Sequence, residues 1–193
     1  MSDDPRHERI TVANDRGQRR AARPDLPVDD APRAGAVLAH CFTCSKDLRA
    51  LRLIADALAR AGFAVLRLDF TSLGASEGSF QETSFSSNVA DLLAGIAALR
   101  EHVTGPPLLV GHSLGGAATL AAALRDLRRP LLLLHAPGDA TVGIDQARQL
   151  FEAAHHPKSF MALDGADHLL TDPSDARYTG NVIAAWASRY VAR

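Results

Sequence analysis

Residues 111–139, GHSLGGAATLAAALRDLRRPLLLLHAPGD, decide the fold prediction. The segment starts as a glycine-flanked serine turn, continues as a helix-length run and ends in an apolar run followed by Asp139. The apolar residues PPLLV stand before the turn, so the pattern predicts a strand, a turn, a helix and a second strand. This order is typical of parallel strands that are joined by crossover helices.

The same alternation extends in both directions along the chain. We predict further strands at GAVLAHC, FAVLRLDF and KSFMALD, and further helices at DLRALRLIADALARAG, NVADLLAGIAALREH, IDQARQLFEAA and NVIAAWASRYVAR. Within the polar residues 1–34, ERITVAND and a glycine turn predict an edge hairpin whose second strand lies near Gln18–Leu26. The fold prediction is one α/β domain over residues 1–193, a three-layer α/β/α sandwich with a mostly parallel sheet.

Composition and charge exclude several classes of protein. The net charge of −1 favours neither a nucleic acid partner nor an anionic membrane surface. The N-terminal residues MSDDPRHERI lack the apolar core of a signal peptide, and no apolar run approaches the ~18 residues that a spanning helix needs. We therefore expect a cytoplasmic protein without a membrane or nucleic acid partner.

The serine turn, residues 111–115, matches the pattern G-x-S-x-G between a predicted strand and a predicted helix. Small residues on both sides of Ser113 allow a sharp turn that exposes its hydroxyl group. The N-terminus of the following helix directs free N–H groups at negative charge that develops on a bound substrate. Ser113 is therefore the predicted nucleophile, and the side chain of His112 is expected to point away from it.

A serine nucleophile needs a base, and the base needs an acid to orient it. His168 follows the last predicted strand, at the sheet edge where sites of open α/β sheets collect. Asp139 directly follows the preceding strand, and the order Ser, Asp, His along the chain suits this fold. Asp164 and Asp167 are alternative acids near His168, although both fit better as turn formers.

The loop after the strand GAVLAHC carries two further predictions. The backbone N–H groups of Phe42 and Leu114 are the predicted oxyanion donors. Cys41 and Cys44 form a CxxC motif at a strand-to-helix junction, which raises a redox interpretation. The second half of a zinc site is missing, so we expect no metal or cofactor and favour two cysteines that simply pack in the loop.

Several motifs carry a resemblance to a known family. GHSLGG, HAPGD, GADH and DFTSLGASEG resemble the α/β-hydrolase superfamily across nearly the whole chain. More narrowly, AHCFTCSKDL, FSSNVADLL, HPKSF and LDGADHLL look like the hydrolase half of bacterial proteins with a C-terminal OsmC-like domain. The resemblance implies a serine hydrolase of the esterase type with Ser113, Asp139 and His168 as its catalytic triad.

The chain departs from that family pattern in two places. It stops at Arg193 after the closing helix, so we expect no OsmC-like domain. The family places another strand and a lid between the nucleophile helix and the acid strand, where RDLRRP joins them directly here. We predict a minimal, lidless fold in which the acid strand lies beside the nucleophile strand or one place beyond it. An open, shallow cleft and a homodimer formed through uncovered apolar surface are expected consequences.

Three functions remain open at this point. The leading prediction is a carboxylic-ester hydrolase acting on small acyl esters through an acyl-enzyme, although thioesterase, lactonase or perhydrolase chemistry uses the same triad. The second is a non-catalytic scaffold or interaction module whose triad is misaligned. The third is a thiol-redox protein that uses Cys41 and Cys44.

Overall fold

Strands and helices alternate along the chain after an N-terminal hairpin. The computed structural model describes residues 10–14, 17–27, 31–123 and 130–191. The elements are β1 Ile10–Ala13, β2 Arg19–Asp25, β3 Ala34–Ala39, α1 Arg49–Arg60, β4 Phe63–Leu68, α2 Phe85–Arg100, β5 Leu108–Gly111, α3 Leu114–Ala123, β6 Leu131–His135, α4 Ile144–Ala153, β7 Lys158–Ala162 and α5 Pro173–Ala187. A short 3-10 turn, Phe80–Glu82, interrupts the long loop between β4 and α2.

The predicted edge hairpin is confirmed. β1 pairs with β2 antiparallel, and β2 pairs with β4 antiparallel, which makes the sheet mixed. β3 pairs in parallel with β4 on one side and with β5 on the other, so the strand order is β1-β2-β4-β3-β5. Residues 1–9, 15–16 and 28–30 of the predicted N-terminal segment lie outside the described residues.

Helices cover both faces of the sheet, as the three-layer prediction requires. Every residue of β3 and β4 is buried, because their side chains alternate between two apolar cores. On β4, Phe63 and Val65 join the core under α1 and α5, whereas Leu66 and Leu68 join the core under α2 and α3. The α/β/α sandwich is therefore confirmed.

β6 and β7 form a separate parallel pair in the described part of the chain, and β6 makes no ladder with β5. Of the two predicted positions for the acid strand, the place directly beside the nucleophile strand is wrong. β5 and β6 nevertheless pack on the same core, to which Leu108 and Val110 of β5 and Leu132 and Leu134 of β6 contribute. All residues of both strands are only half-buried, unlike those of β3 and β4.

The last helix begins eight residues earlier than predicted. α5 starts at Pro173, and the side chain of Asp172 caps it by accepting a hydrogen bond from Ser174 N–H at 2.7 Å. A capping aspartate and a proline in the first turn form a helix-start signal that the apolar pattern from Asn181 onward did not include. No helix in the described ranges is long and apolar enough to cross a membrane.

Candidate active site

β5 ends in a tight turn from which α3 begins, and Ser113 lies at its tip. Its φ of +54° is a left-handed conformation that residues with a side chain seldom adopt. A Cβ atom on Gly111 would lie 2.5 Å from Gly116 N, and one on Gly115 would lie 2.6 Å from His40 O. Both flanking glycines therefore allow the backbone to approach closely, and the hydroxyl group of Ser113 is exposed as predicted.

Ser113, His168 and Asp139 meet at the carboxyl ends of β5, β6 and β7. Ser113 Oγ lies 3.2 Å from His168 Nε2, and His168 Nδ1 lies 2.7 Å from Asp139 Oδ2. His168 is thus placed to accept a proton from the serine hydroxyl while it donates its own Nδ1–H to the carboxylate. The shortened connection between α3 and β6 does not prevent this arrangement.

Asp139 is held as an anion. Burial on its own would raise its pKa, because the side chain is only 7% exposed. The hydrogen bonds from His168 and from the backbone N–H groups of Val142 and Thr141 outweigh burial and hold its pKa below the usual range. The two backbone N–H groups also fix the carboxylate, since both donate to Oδ1 and leave Oδ2 for the imidazole.

Neither of the alternative acids makes a hydrogen bond to the imidazole of His168 in the described structure. Asp167 accepts hydrogen bonds from the backbone N–H and the hydroxyl group of Thr171, which makes it a local turn former. These bonds lower its pKa. Asp164 is an exposed loop residue. The structure therefore brings Asp139, and neither alternative, to the imidazole.

His112 contributes in a way that the sequence reasoning did not predict. Its Nε2–H donates to the backbone oxygen of His168 at 2.6 Å, and the two rings lie 5.3 Å apart. Burial lowers the pKa of His112, which keeps this ring neutral beside His168. The ring of His112 points away from the Ser113 hydroxyl and reaches the β7–α5 loop. There its hydrogen bond holds the backbone of His168.

The loop between β3 and α1, residues 40–48, lies against the nucleophile turn. His112 N–H donates to the backbone oxygen of Ala39 at 3.0 Å, at the start of this loop. Within the described residues, the N–H groups of Phe42 and Leu114 make no hydrogen bond to protein atoms, so both are free to donate to a ligand. The Phe42 ring is 48% exposed and lies 6.0 Å from the ring of Phe80.

Cys41 and Cys44 are joined by a disulfide, with their Cα atoms 5.3 Å apart. The interpretation of two cysteines that merely pack in the loop is therefore wrong. A CxxC spacing brings two Cα atoms within the range that a disulfide needs whenever the intervening residues turn, and they do so here. Cys44 N–H donates to Cys41 O at 3.3 Å across that turn.

Buried polar side chains anchor both ends of this loop. His40 is fully buried, and its Nδ1–H donates to Cys41 O at 2.7 Å while its Nε2 accepts from Phe70 N–H. At the other end, Lys46 N–H donates to Asp69 Oδ1 at 2.5 Å, and Lys46 Nζ lies 2.8 Å from Asp69 Oδ2. The residues between His40 and Lys46 therefore span two fixed points.

The described residues include no group of three or more His, Cys, Asp or Glu side chains that could hold a metal ion. The chemistry that the site can support is nucleophilic attack by Ser113 with proton transfer through His168.

A family comparison agrees with this geometry. Residues 36–192 match the model of the alpha/beta hydrolase family, which spans most of the chain. The chain belongs to the alpha/beta hydrolase family. No curated protein matches it at a significant level.

Solved structures extend the comparison. The esterase domain of a Rhodothermus marinus protein is 40% identical, with a TM-score of 0.81 over 94% of this chain and 98% of that one. XC6422 from Xanthomonas campestris, a serine hydrolase without a lid, is 19% identical, with a TM-score of 0.84 over 97% and 96%. Est1E from Butyrivibrio proteoclasticus, which binds ferulic acid, is 16% identical, with a TM-score of 0.84 over 93% and 98%. The two more distant structures share the fold with this alpha/beta hydrolase.

The fold of this hydrolase is also lidless. α3 ends at Ala123 and β6 begins at Leu131, which leaves no room for a lid domain at that point of the chain. The narrower resemblance to proteins with an OsmC-like domain stays a prediction.

Proposed function

We propose that this alpha/beta hydrolase is a carboxylesterase that cleaves small acyl esters through an acyl-enzyme intermediate. The observation that carries the proposal is the pair of contacts at His168, 3.2 Å to Ser113 Oγ and 2.7 Å to Asp139 Oδ2. The 40% identity to the Rhodothermus marinus esterase domain over nearly the whole chain supports it.

In the proposed first step, Ser113 Oγ attacks the carbonyl carbon of the ester. His168 Nε2 takes the serine proton and passes it to the leaving alkoxide, which departs as the alcohol. Asp139 keeps the ring in the tautomer whose Nε2 is unprotonated and stabilises the imidazolium that forms. In the second step, His168 activates a water molecule that releases the acid and restores the serine.

The negative charge on the carbonyl oxygen needs preorganised donors. We assign this role to the N–H groups of Leu114, at the first turn of α3, and of Phe42, in the β3–α1 loop. Removal of one such donor typically reduces kcat by about 10²–10³. The free N–H groups and the helix N-terminus supply what the oxyanion requires.

An open site accepts small or extended esters with little selectivity. Ser113 is exposed, and the His168 side chain is 18% exposed, so a bound ester keeps contact with solvent over much of its length. Exposure to water weakens electrostatic stabilisation at the reacting atoms and gives weak substrate binding. We therefore expect a high KM and little discrimination between acetyl and butyryl esters.

The test is hydrolysis of p-nitrophenyl acetate and butyrate by the wild-type protein and by Ser113→Ala. A matched control is Ser86→Ala, because Ser86 is also exposed at the start of a helix but lies in α2. We expect Ser113→Ala to lose at least about 10³-fold in kcat and the control to keep wild-type activity. A fluorophosphonate probe should label the wild type and the control and leave Ser113→Ala unlabelled.

Equal, weak rates in all three proteins would contradict the proposal. That result would support the non-catalytic scaffold instead, because an unactivated serine reacts slowly with both ester and probe. Thioester and lactone substrates assayed beside the two esters would separate the related reactions that use the same triad.

A further inference from the structure

The CxxC disulfide occupies a position with consequences for the nucleophile turn. Gly115 approaches the backbone of Ala39 and His40 so closely that a Cβ atom would lie 2.6 Å from His40 O. Cys41 is the next residue along the chain, and the Cys41–Cys44 bond closes the segment that contains Phe42. The bond therefore constrains the loop to which the proposed function assigns one oxyanion donor.

The disulfide contributes little to the stability of the fold by restricting the unfolded chain, because its two cysteines are only three residues apart. Cross-links that close short loops remove the least chain entropy. The ends of the loop are already anchored at His40 and Lys46 by buried hydrogen bonds. What the bond adds is a fixed backbone conformation between these two points.

That conformation carries strain at Thr43. Its φ is +64°, in the left-handed region, where a β-branched side chain is a strong outlier. Such a residue persists only when its surroundings enforce it. The disulfide and the 3.3 Å Cys44 N–H to Cys41 O hydrogen bond span Thr43 and are the constraints closest to it.

The two cysteines differ in exposure. Cys41 is 3% exposed, whereas Cys44 is half-buried and its neighbours Phe42 and Thr43 are exposed. An external thiolate can therefore approach the Cys44 sulfur and release the Cys41 sulfur as the leaving group. The difference in exposure therefore favours attack at Cys44 over attack at Cys41.

We propose that Cys41–Cys44 is a redox-active site that switches the esterase: the disulfide form holds the Phe42 N–H in place, and the dithiol form releases it. The second half of this statement rests on the proposed esterase function. In the exchange, one thiolate of a dithiol reductant attacks Cys44 Sγ, the Cys41–Cys44 bond breaks, and Cys41 leaves as a thiolate that takes up a proton. The second thiol of the reductant then attacks the reductant sulfur bound to Cys44. This step releases the Cys44 thiol and the oxidised, cyclic reductant.

Reduction lets Thr43 relax to a negative φ, which rotates the peptide unit between Phe42 and Thr43. The Phe42 backbone is then free to turn the Cys41–Phe42 peptide unit, which carries the Phe42 N–H. Phe42 N–H then no longer points at the oxyanion position, whereas the anchors at His40 and Lys46 keep the rest of the loop folded. The expected effect is a fall in kcat of about 10- to 100-fold, less than the complete loss of one oxyanion donor.

The experiment equilibrates the full chain with oxidised or reduced dithiothreitol and removes the reagent by gel filtration. It then measures alkylatable thiols by mass and kcat with p-nitrophenyl butyrate. We expect no free thiol and full kcat after oxidation, and two free thiols and the lowered kcat after reduction. Cys44→Ser should show the reduced level of activity in both buffers. Cys44 is the less buried partner, so this variant disturbs packing least.

Two outcomes would contradict the redox switch without contradicting the esterase activity. In the first, the wild-type protein shows two free thiols and full kcat after reduction. In the second, the dithiol does not reduce the disulfide. Failure of the proposed esterase function is a separate outcome. It would be seen as equal hydrolysis rates for the wild type and Ser113→Ala in both buffers. In that case, amide hydrogen exchange at Phe42 and Thr43 tests the redox site independently of enzymatic activity. Faster exchange after reduction supports it, and unchanged exchange overturns it.

Discussion

The close approach of α3 to the end of β3 can be tested by adding a single methyl group at Gly115. A Cβ atom there would lie 2.6 Å from His40 O and closer still to Ala39 O. Real Cβ atoms essentially never approach within 3.0 Å, so the helix and the strand end must separate by more than 0.4 Å. No side-chain rotation can relieve the clash, because both opposing atoms belong to the backbone.

This shift acts directly on the proposed catalytic contact. Ser113 Oγ and His168 Nε2 are 3.2 Å apart, near the upper limit of a hydrogen bond. Since a displacement of about 1 Å reduces rates by about 10²-fold, Gly115→Ala should lower kcat by about 10- to 100-fold. Overpacking should also destabilise the fold by about 1–3 kcal/mol.

Gly116→Ala is the matched control, because it makes the same change one residue further along α3. There a Cβ atom would lie 3.2 Å from Gly111 O, which requires adjustment by only a few tenths of an ångström. We expect the control to keep kcat within about threefold of wild type, a change of less than 1 kcal/mol in the barrier. The assay is p-nitrophenyl butyrate hydrolysis beside thermal unfolding of the three proteins. Equal kcat and Tm for the two variants would refute the reasoning, since the near-contact with β3 would then not set the position of Ser113.

Two further predictions concern Asp139 and the two buried histidines His40 and His112. Asp139→Asn removes the anion that orients the ring of His168. We expect kcat to fall by about 10³–10⁴ with little change in KM. A loss of kcat below about tenfold would contradict the role assigned to Asp139. Burial lowers the folded-state pKa of His40 and His112 below 6.5, so the unfolded chain binds more protons between the lowered values and 6.5. The free energy of unfolding should therefore rise with pH up to about 6.5 and level off above it, by at most about 1.4 kcal/mol per pH unit for each histidine. Urea unfolding at about pH 5 and pH 7.5 measures this change in the free energy of unfolding. His112→Gln should reduce the difference in stability between the two pH values. Equal stability of the wild type at both pH values would contradict the prediction.

The central strands of the sheet were predictable from the sequence because they are largely apolar along their length. β3 reads as a continuous apolar run, β4 as an apolar run interrupted by Arg67, and β6 as four consecutive leucines, which is the pattern of strands covered by helices. The three proposed catalytic side chains were predictable for a related reason. Each follows the carboxyl end of a parallel strand, where sites of this fold class collect.

The first half of α5 could not be read from apolar periodicity, because its start signal at Asp172 and Pro173 is polar and a glycine inside the helix makes a tertiary contact. Gly180 resembles a loop residue in the sequence RYTGN, yet it lies inside α5. A Cβ atom at this position would lie 2.8 Å from Ala57 Cβ, so the glycine lets α5 pack directly on α1. Glycine weakens a helix locally, and packing against a neighbour compensates for that weakness here.

The supporting contacts of the site depended on the folded chain in the same way. His112 is adjacent to the nucleophile in sequence, but its partner is the backbone of a residue that lies 56 positions away. The disulfide required the conformation of the β3–α1 loop, because CxxC spacing alone is equally compatible with free thiols or a metal ligand pair.

The position of Asp139 follows from packing rather than from a continuous hydrogen-bonded sheet. β6 forms no ladder with β5 in the described residues, so hydrogen bonds between these strands do not set the distance from Ser113 to Asp139. Instead, β6 pairs with β7, and Leu132 and Leu134 pack on the core that also receives side chains of β5. Because His168 follows β7 and Asp139 follows β6, the pairing of these two strands fixes the acid and the base relative to each other. Their alignment with Ser113 then depends on the shared apolar core and on the His112 hydrogen bond to the backbone of His168.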